Sequence, residues 1–168
     1  RAIKRIPDVV KVFDKIQKKI PAKLMMVGEG PEKEKAEILC EELGISDKVI
    51  FFGNSNDIDK ILCYTDLFLL PSETESFGLA ALEAMACGVP VISSNSGGLP
   101  EVNFNGISGY LSDVGDVDDM AKNALAILED DEELSKFKQN ALNVAKQFDI
   151  LNIMPLYEAI YEKALKNK

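Results

Sequence analysis

The chain has 168 residues, with 19 Lys and Arg against 28 Asp and Glu, a formal net charge of -9, three cysteines, and neither His nor Trp. That length suits one domain burying about 70% of its unfolded surface, and 46% hydrophobic with 28% charged residues is a globular composition. Without histidine there is no Ser-His-Asp triad, Cys-His pair, His-ligated zinc or imidazole shuttle, and the acidic balance argues against a nucleic-acid or anionic-membrane surface.

In chain order, Pro7 suits a helix N-terminus, and Val9, Val12, Phe13, Ile16 and Ile20 recur at helical spacing. Residues 22–27 read as a short buried strand closed by Gly28-Glu29-Gly30-Pro31. A helix over 32–43 follows, stopped by Gly44. Residues 49–52 form a strand ending at Gly53. Ile58, Ile61 and Leu62 mark a helix, and 66–70 a strand stopped by Pro71. A helix over 79–86 ends at Gly88, and residues 89–92 form the next strand. A Gly-Gly-Leu-Pro loop and a short strand near Tyr110 and Leu111 come after it. The tail reads as three helices, with apolar stripes over 117–128, 134–148 and 153–164. Pro155 places the start of the last one near itself. The acidic run 129–133 reads as a solvated turn between helices.

Cys40, Cys63 and Cys87 are widely spaced and form no C-x-x-C pair, which predicts reduced thiols and a cytoplasmic protein. Cys87 follows Ala-Met-Ala on an apolar helix and reads as a structural thiol. No apolar run approaches the roughly 20 residues that span a bilayer, and no signal peptide is expected. The opening Arg1-Ala2-Ile3-Lys4 lacks an initiator Met and reads as the start of a fragment or a trimmed chain.

The alternation of strands and helices predicts an α/β fold, a Rossmann-like parallel sheet with helices on both faces. Ligands of such sheets sit beyond the carboxyl ends of the strands, here the loops 28–31, 53–57 and 71–78. Gly28-x-Gly30 has Lys33 where a dinucleotide fingerprint needs a third glycine, and no Walker A is present. The two glycines either touch a ligand or only turn a corner. In 71–83, Ser76 can cap the following helix and Gly78 permits close backbone approach. The amides of Phe77, Gly78 and Leu79 would face outward at a helix N-terminus, where they suit a diphosphate. Glu75 stands at the mouth of that helix. Glu83, one turn past Leu79, is a natural acceptor for vicinal ribose hydroxyls. The plainer alternatives are a dipole partner for Glu75 and a solvent-facing side chain for Glu83.

Glu-x7-Glu within ESFGLAALEAMACGVPVISSNSGGLPEV, preceded by YTDLFLLPSETE and followed by NGISGYLSDVGD, closely resembles the C-terminal domain of family 4 glycosyltransferases of the GT-B fold. The likeness runs over nearly the whole chain, including the VGEGPE and VIFFGN turns. The opening RAIKRIPDVV narrows it towards members that make N-acetylglucosaminyl-malate, the first intermediate of bacillithiol.

The resemblance implies that residues 1–168 are the C-terminal nucleotide-sugar-binding domain of a two-domain enzyme. The N-terminal acceptor domain and this domain's first strand would then lie outside the chain. It implies retaining transfer of a hexosyl group, N-acetylglucosamine in the narrower reading, from a UDP-sugar to the hydroxyl of a small acceptor such as L-malate, with neither metal nor cofactor. Glu83 would hold the ribose, Glu75 the donor-sugar hydroxyls, and Ser76 with the backbone of 77–79 the sugar and diphosphate. Lys4, and with a poorer match Arg1, would support the diphosphate. Uracil would lie against Gly53 and Asn54. For Arg1 and Lys4 the alternative is a frayed, solubilising terminus.

Other functions stay open at this point. They are a non-catalytic nucleotide-sugar-binding module, a GT-B epimerase or hydrolase, and a transferase of different donor and acceptor. The expected partners are the donor, a small acceptor and the N-terminal domain, with no nucleic acid and no membrane span. Without that domain, the apolar stripe of the last helix would fold onto its own domain, stay exposed or meet another copy of the chain. Residues 156–168 are expected to be mobile or in contact between molecules.

Overall fold

The computed structural model describes residues 2–166; Arg1 lies outside them, as do the final two residues of the tail. Five parallel strands form two separate ladders. In the first, β1 (Leu24–Val27) pairs with β2 (Val49–Gly53), with Leu24 opposite Val49 and Val27 opposite Gly53. In the second, β3 (Phe68–Leu70), β4 (Val91–Ser94) and β5 (Gly109–Ser112) pair in that order, with Phe68 opposite Val91 and Val91 opposite Gly109. The parallel α/β reading holds, but β1 and β3 share no ladder, and each is an edge.

Helix α1 (Ile6–Gln17) packs against both ladders. Its Val10 and Phe13 join Ala36 and Cys40 of α2 (Lys33–Glu42) over Val49 of β2. Its Val12 and Ile16 join Met120, Ala124 and Ile127 of α6 (Val117–Leu128) against Ile92 of β4. Strand periodicity of two sends the neighbouring Val91 to the opposite face. There it meets Ala84 and Met85 of α4 (Leu79–Ala86), Val102 of α5 (Leu99–Val102) and Val144 of α7 (Asp131–Ala145). Helices therefore cover both faces of the three-stranded ladder. Across the two-stranded ladder, Val27, Ile50 and Phe52 are exposed. The following helix α3 (Ile58–Leu62) is too short to roof them.

Several local expectations need correction. The Gly-Gly-Leu-Pro loop is the entry to α5, with Pro100 in its first turn. Within the acidic run, Asp130 caps α7 by accepting hydrogen bonds from the amides of Glu132 and Glu133. The last helix, α8 (Ile150–Lys166), begins five residues before Pro155 and runs through it. Asp149 starts it, its carboxylate accepting from the Leu151 amide at 2.8 Å. No residue of α8 is buried, and Leu156, Tyr157, Ile160 and Tyr161 are all exposed.

Candidate functional site

The loop from β3 to α4 is built by its neighbours. Gly78 is the N-cap of α4, with φ of 100°, a left-handed conformation that other residues rarely adopt. A Cβ there would also come within 3.0 Å of Leu99 and Val102. Gly78 thus takes the position expected of Ser76, which makes no capping hydrogen bond and is exposed. A side chain in place of Gly78 would press the start of α4 off α5.

Beneath the loop runs the turn after β4. The Gly98 amide donates to the Glu75 carbonyl at 2.9 Å, and Ser96 Oγ donates to the Glu73 carbonyl at 2.6 Å. Ser94 Oγ donates to the Ser72 carbonyl. A Cβ on Gly97 would fall 1.9 Å from the Glu75 carbonyl oxygen, so only glycine lets the two backbones lie so close. Ser94, Ser96, Gly97 and Gly98 thus support the loop, a role the sequence reading did not assign to them; it read Gly97 and Gly98 only as part of a loop. The adjacent glycines after a strand were their one visible signal.

With the loop fixed, no hydrogen bond among the described residues occupies the amides of Phe77, Gly78 or Leu79. Phe77 and Leu79 are exposed, and Phe77 meets Phe148 edge-on at 6.3 Å between ring centroids. The N-terminus of α4 thus offers amides without a partner among the described residues, together with the positive end of a helix dipole.

Lys4 sits in this mouth. The 3-10 turn Ala2–Lys4 is tied to the loop, because Ile3 accepts a hydrogen bond from the Glu73 amide at 2.8 Å. The Lys4 ammonium donates to Glu75 Oε2 in a partly buried ion pair. Lys4 is therefore held in place rather than frayed, and its partner here is Glu75. Arg1 lies outside the described residues. Ser72 Oγ is buried and has no hydrogen-bond partner among the described residues.

The remaining expected residues fall elsewhere. Glu83 is exposed on α4, one turn beyond Leu79. Gly28 and Gly53 meet at the carboxyl ends of β1 and β2, where the Gly28 amide donates to the Gly53 carbonyl at 2.7 Å. Gly30 and Asn54 are exposed on the flanking turns. No hydrogen bond or ion pair among the described residues joins these turns to the 75–79 loop. A cavity of about 860 Å³ opens at the opposite, amino ends of β1 and β2, lined by residues that include Lys18, Lys23, Asp47 and Lys48. It faces none of the residues above. The described residues contain no group of His, Cys, Asp and Glu suited to a metal ion, and no helix long and apolar enough to cross a membrane.

Residues 1–144 match the family model for glycosyl transferases group 1. The chain is 44% identical to an N-acetyl-alpha-D-glucosaminyl L-malate synthase of Bacillus anthracis, covering 99% of this chain and 44% of that protein. It is 33% identical to a D-inositol 3-phosphate glycosyltransferase of Mycolicibacterium smegmatis, covering 89% and 36%. Among solved structures, it matches Anabaena HepE in complex with UDP with a TM-score of 0.88 at 25% identity, over 96% of this chain and 46% of that one. Sucrose-phosphate synthase of Thermosynechococcus elongatus matches with a TM-score of 0.85 at 27% identity, over 100% and 44%. The chain spans less than half the length of each of these proteins.

Proposed function

This chain belongs to the group 1 glycosyl transferases, and from that premise we propose that it is the donor-binding half of a GT-B hexosyltransferase that uses a UDP-sugar. The observation that carries the reading is the free N-terminus of α4 beside Lys4. In a chain of net charge -9, an anionic ligand needs such a local device. Three amides and a helix dipole would hold the diphosphate. Lys4 would turn from Glu75 to the leaving phosphate and stabilise the charge that develops there. Glu75, released, would accept from donor-sugar hydroxyls, and Glu83 from the ribose. Gly53 and Asn54 would flank the base. The protein's work is then positioning and charge stabilisation, which suits a chain without histidine.

The finer reading has N-acetylglucosamine as the sugar and L-malate as the acceptor. It is supported by the similarity to the Bacillus anthracis synthase along nearly the whole chain. HepE in complex with UDP supports the base. The division of the sheet supports the reading of these residues as the C-terminal domain. Parallel strands are joined by right-handed crossovers, and α1, packed on both ladders, is in place to follow a strand lying between β1 and β3. The acceptor site belongs to the partner domain in this reading, so the chain by itself transfers no sugar.

Calorimetric titration with UDP tests the site. The chain binds UDP weakly, and Glu83→Ala weakens binding by about 1–3 kcal/mol by leaving the ribose hydroxyls without an acceptor. Equal affinity for both chains would remove Glu83 from the ribose. Absence of any UDP binding, with the fold intact by circular dichroism, would remove the donor reading altogether.

A further inference from the structure

Cys63 and Cys87 lie far apart in sequence, yet the fold brings them to one point. Each immediately follows a helix, Cys63 after α3 and Cys87 after α4, and the two helices pack together. The Cys63 amide donates to the Asp59 carbonyl oxygen at 3.0 Å, and Cys87 Sγ lies 4.0 Å from the same oxygen. Both residues thus converge on the Asp59 carbonyl, and both thiols are free.

Their surroundings differ. Cys63 is exposed, whereas Cys87 is half-buried and packed against the core that contains Leu62 and Ala84. Burial first, then the neighbouring Cys63 thiol and the Asp59 and Glu83 carboxylates, pushes the Cys87 thiol above its ordinary value. The third thiol, Cys40, is buried under α1. One accessible thiol beside a shielded one is the arrangement of an attacking and a resolving cysteine.

We propose that Cys63 and Cys87 form a thiol-modification site for low-molecular-weight disulfides, in which Cys63 is attacked first and Cys87 resolves the adduct. Cys63, after losing its proton to solvent, attacks one sulfur of the small disulfide RSSR. That S–S bond breaks, a mixed disulfide forms on Cys63, and RS⁻ leaves and takes up a proton. Cys87, deprotonated in turn, attacks the Cys63 sulfur. A Cys63–Cys87 bond forms and a second RSH departs. The two protein thiols are oxidised by two electrons and RSSR is reduced to two RSH. The new bond closes the segment 63–87, which contains β3 and the whole 75–79 loop. The inference does not rest on the donor assignment.

Incubation of the reduced chain with oxidised glutathione, followed by intact-mass and peptide mapping, tests it. The wild-type chain loses two hydrogens, stays monomeric on a non-reducing gel and yields a Cys63–Cys87 peptide that dithiothreitol reverses. Cys87→Ser retains one glutathionyl group on Cys63. Cys63→Ser reacts at Cys87 about tenfold more slowly than wild type does at Cys63. The mapping of the wild-type chain decides the matter whether or not the variants fold. No reaction, an adduct that persists on wild-type Cys63, a bond to Cys40, or a dimer linked through Cys63 would each overturn the proposal.

Discussion

The two ladders of this domain are built on the same strand pattern and end in different environments. In β4 all four residues are buried, because Val91 and Ile92 face helices on opposite sides. In β2, Val49 is 8% exposed, while the adjacent Ile50 and Phe52 are 42% and 49% exposed, because α1 and α2 cover one face only. The loop from β3 to α4 hangs on the half clamped from both sides. The Gly28 and Gly53 turns hang on the half clamped from one. The contrast teaches that the same strand pattern fixes a loop's backbone from two directions where helices cover both faces, and from one where they cover a single face.

The largest expected effect lies in the clamped half. A Cβ on Gly109 would fall 1.8 Å from the Val91 carbonyl oxygen in the ladder between β4 and β5. Gly109→Ala therefore costs more than about 4 kcal/mol in urea denaturation. A loss below about 1 kcal/mol would show that the ladder yields easily, and the contrast between the halves would fail. Next comes Asn103, fully buried, whose amide donates to the Val91 and Tyr110 carbonyls and to Ser93 Oγ. Its carbonyl oxygen accepts from Ser108 Oγ. Asn103→Ala strands several of these groups and costs about 2–3 kcal/mol. An unchanged denaturation midpoint would mean that other donors replace the amide.

Lys4→Met separates stability from binding. Its ion pair with Glu75 is partly exposed, so the chain loses under about 1 kcal/mol of stability. UDP affinity falls in the same variant. A variant that loses stability but keeps its affinity would make Lys4 a purely structural clasp. The smallest effect belongs to the open half. Ile50→Thr and Phe52→Ser change stability by less than about 0.5 kcal/mol, because neither side chain is enclosed. A loss above about 1.5 kcal/mol would show that this face is covered in solution.

Much of the fold was legible in the sequence, because its signals are local. Apolar spacing in 9–16 and 117–128 marked α1 and α6, and short apolar runs stopped by Gly or Pro marked three of the strands. Misreadings arose where a cap outweighed a breaker. Asp149 starts α8 ahead of Pro155, which the helix then tolerates in its second turn. Gly78 caps α4 because α5 leaves no room for a side chain there, a fact that lies on another segment.

By itself the sequence determined the alternation of elements, the chemistry available without histidine, and the offer of free amides ahead of α4. Tertiary structure decided which distant groups meet. Lys4 reaches Glu75, Gly97 and Gly98 pass beneath the loop, Cys87 comes to Cys63, and the sheet divides between β1 and β3. Periodicity and capping depend on residues within a few positions of one another, so they can be read along the chain. These meetings depend on how α1, α3, α4 and α5 pack against the strands, and that is settled only when all of the buried faces are satisfied together.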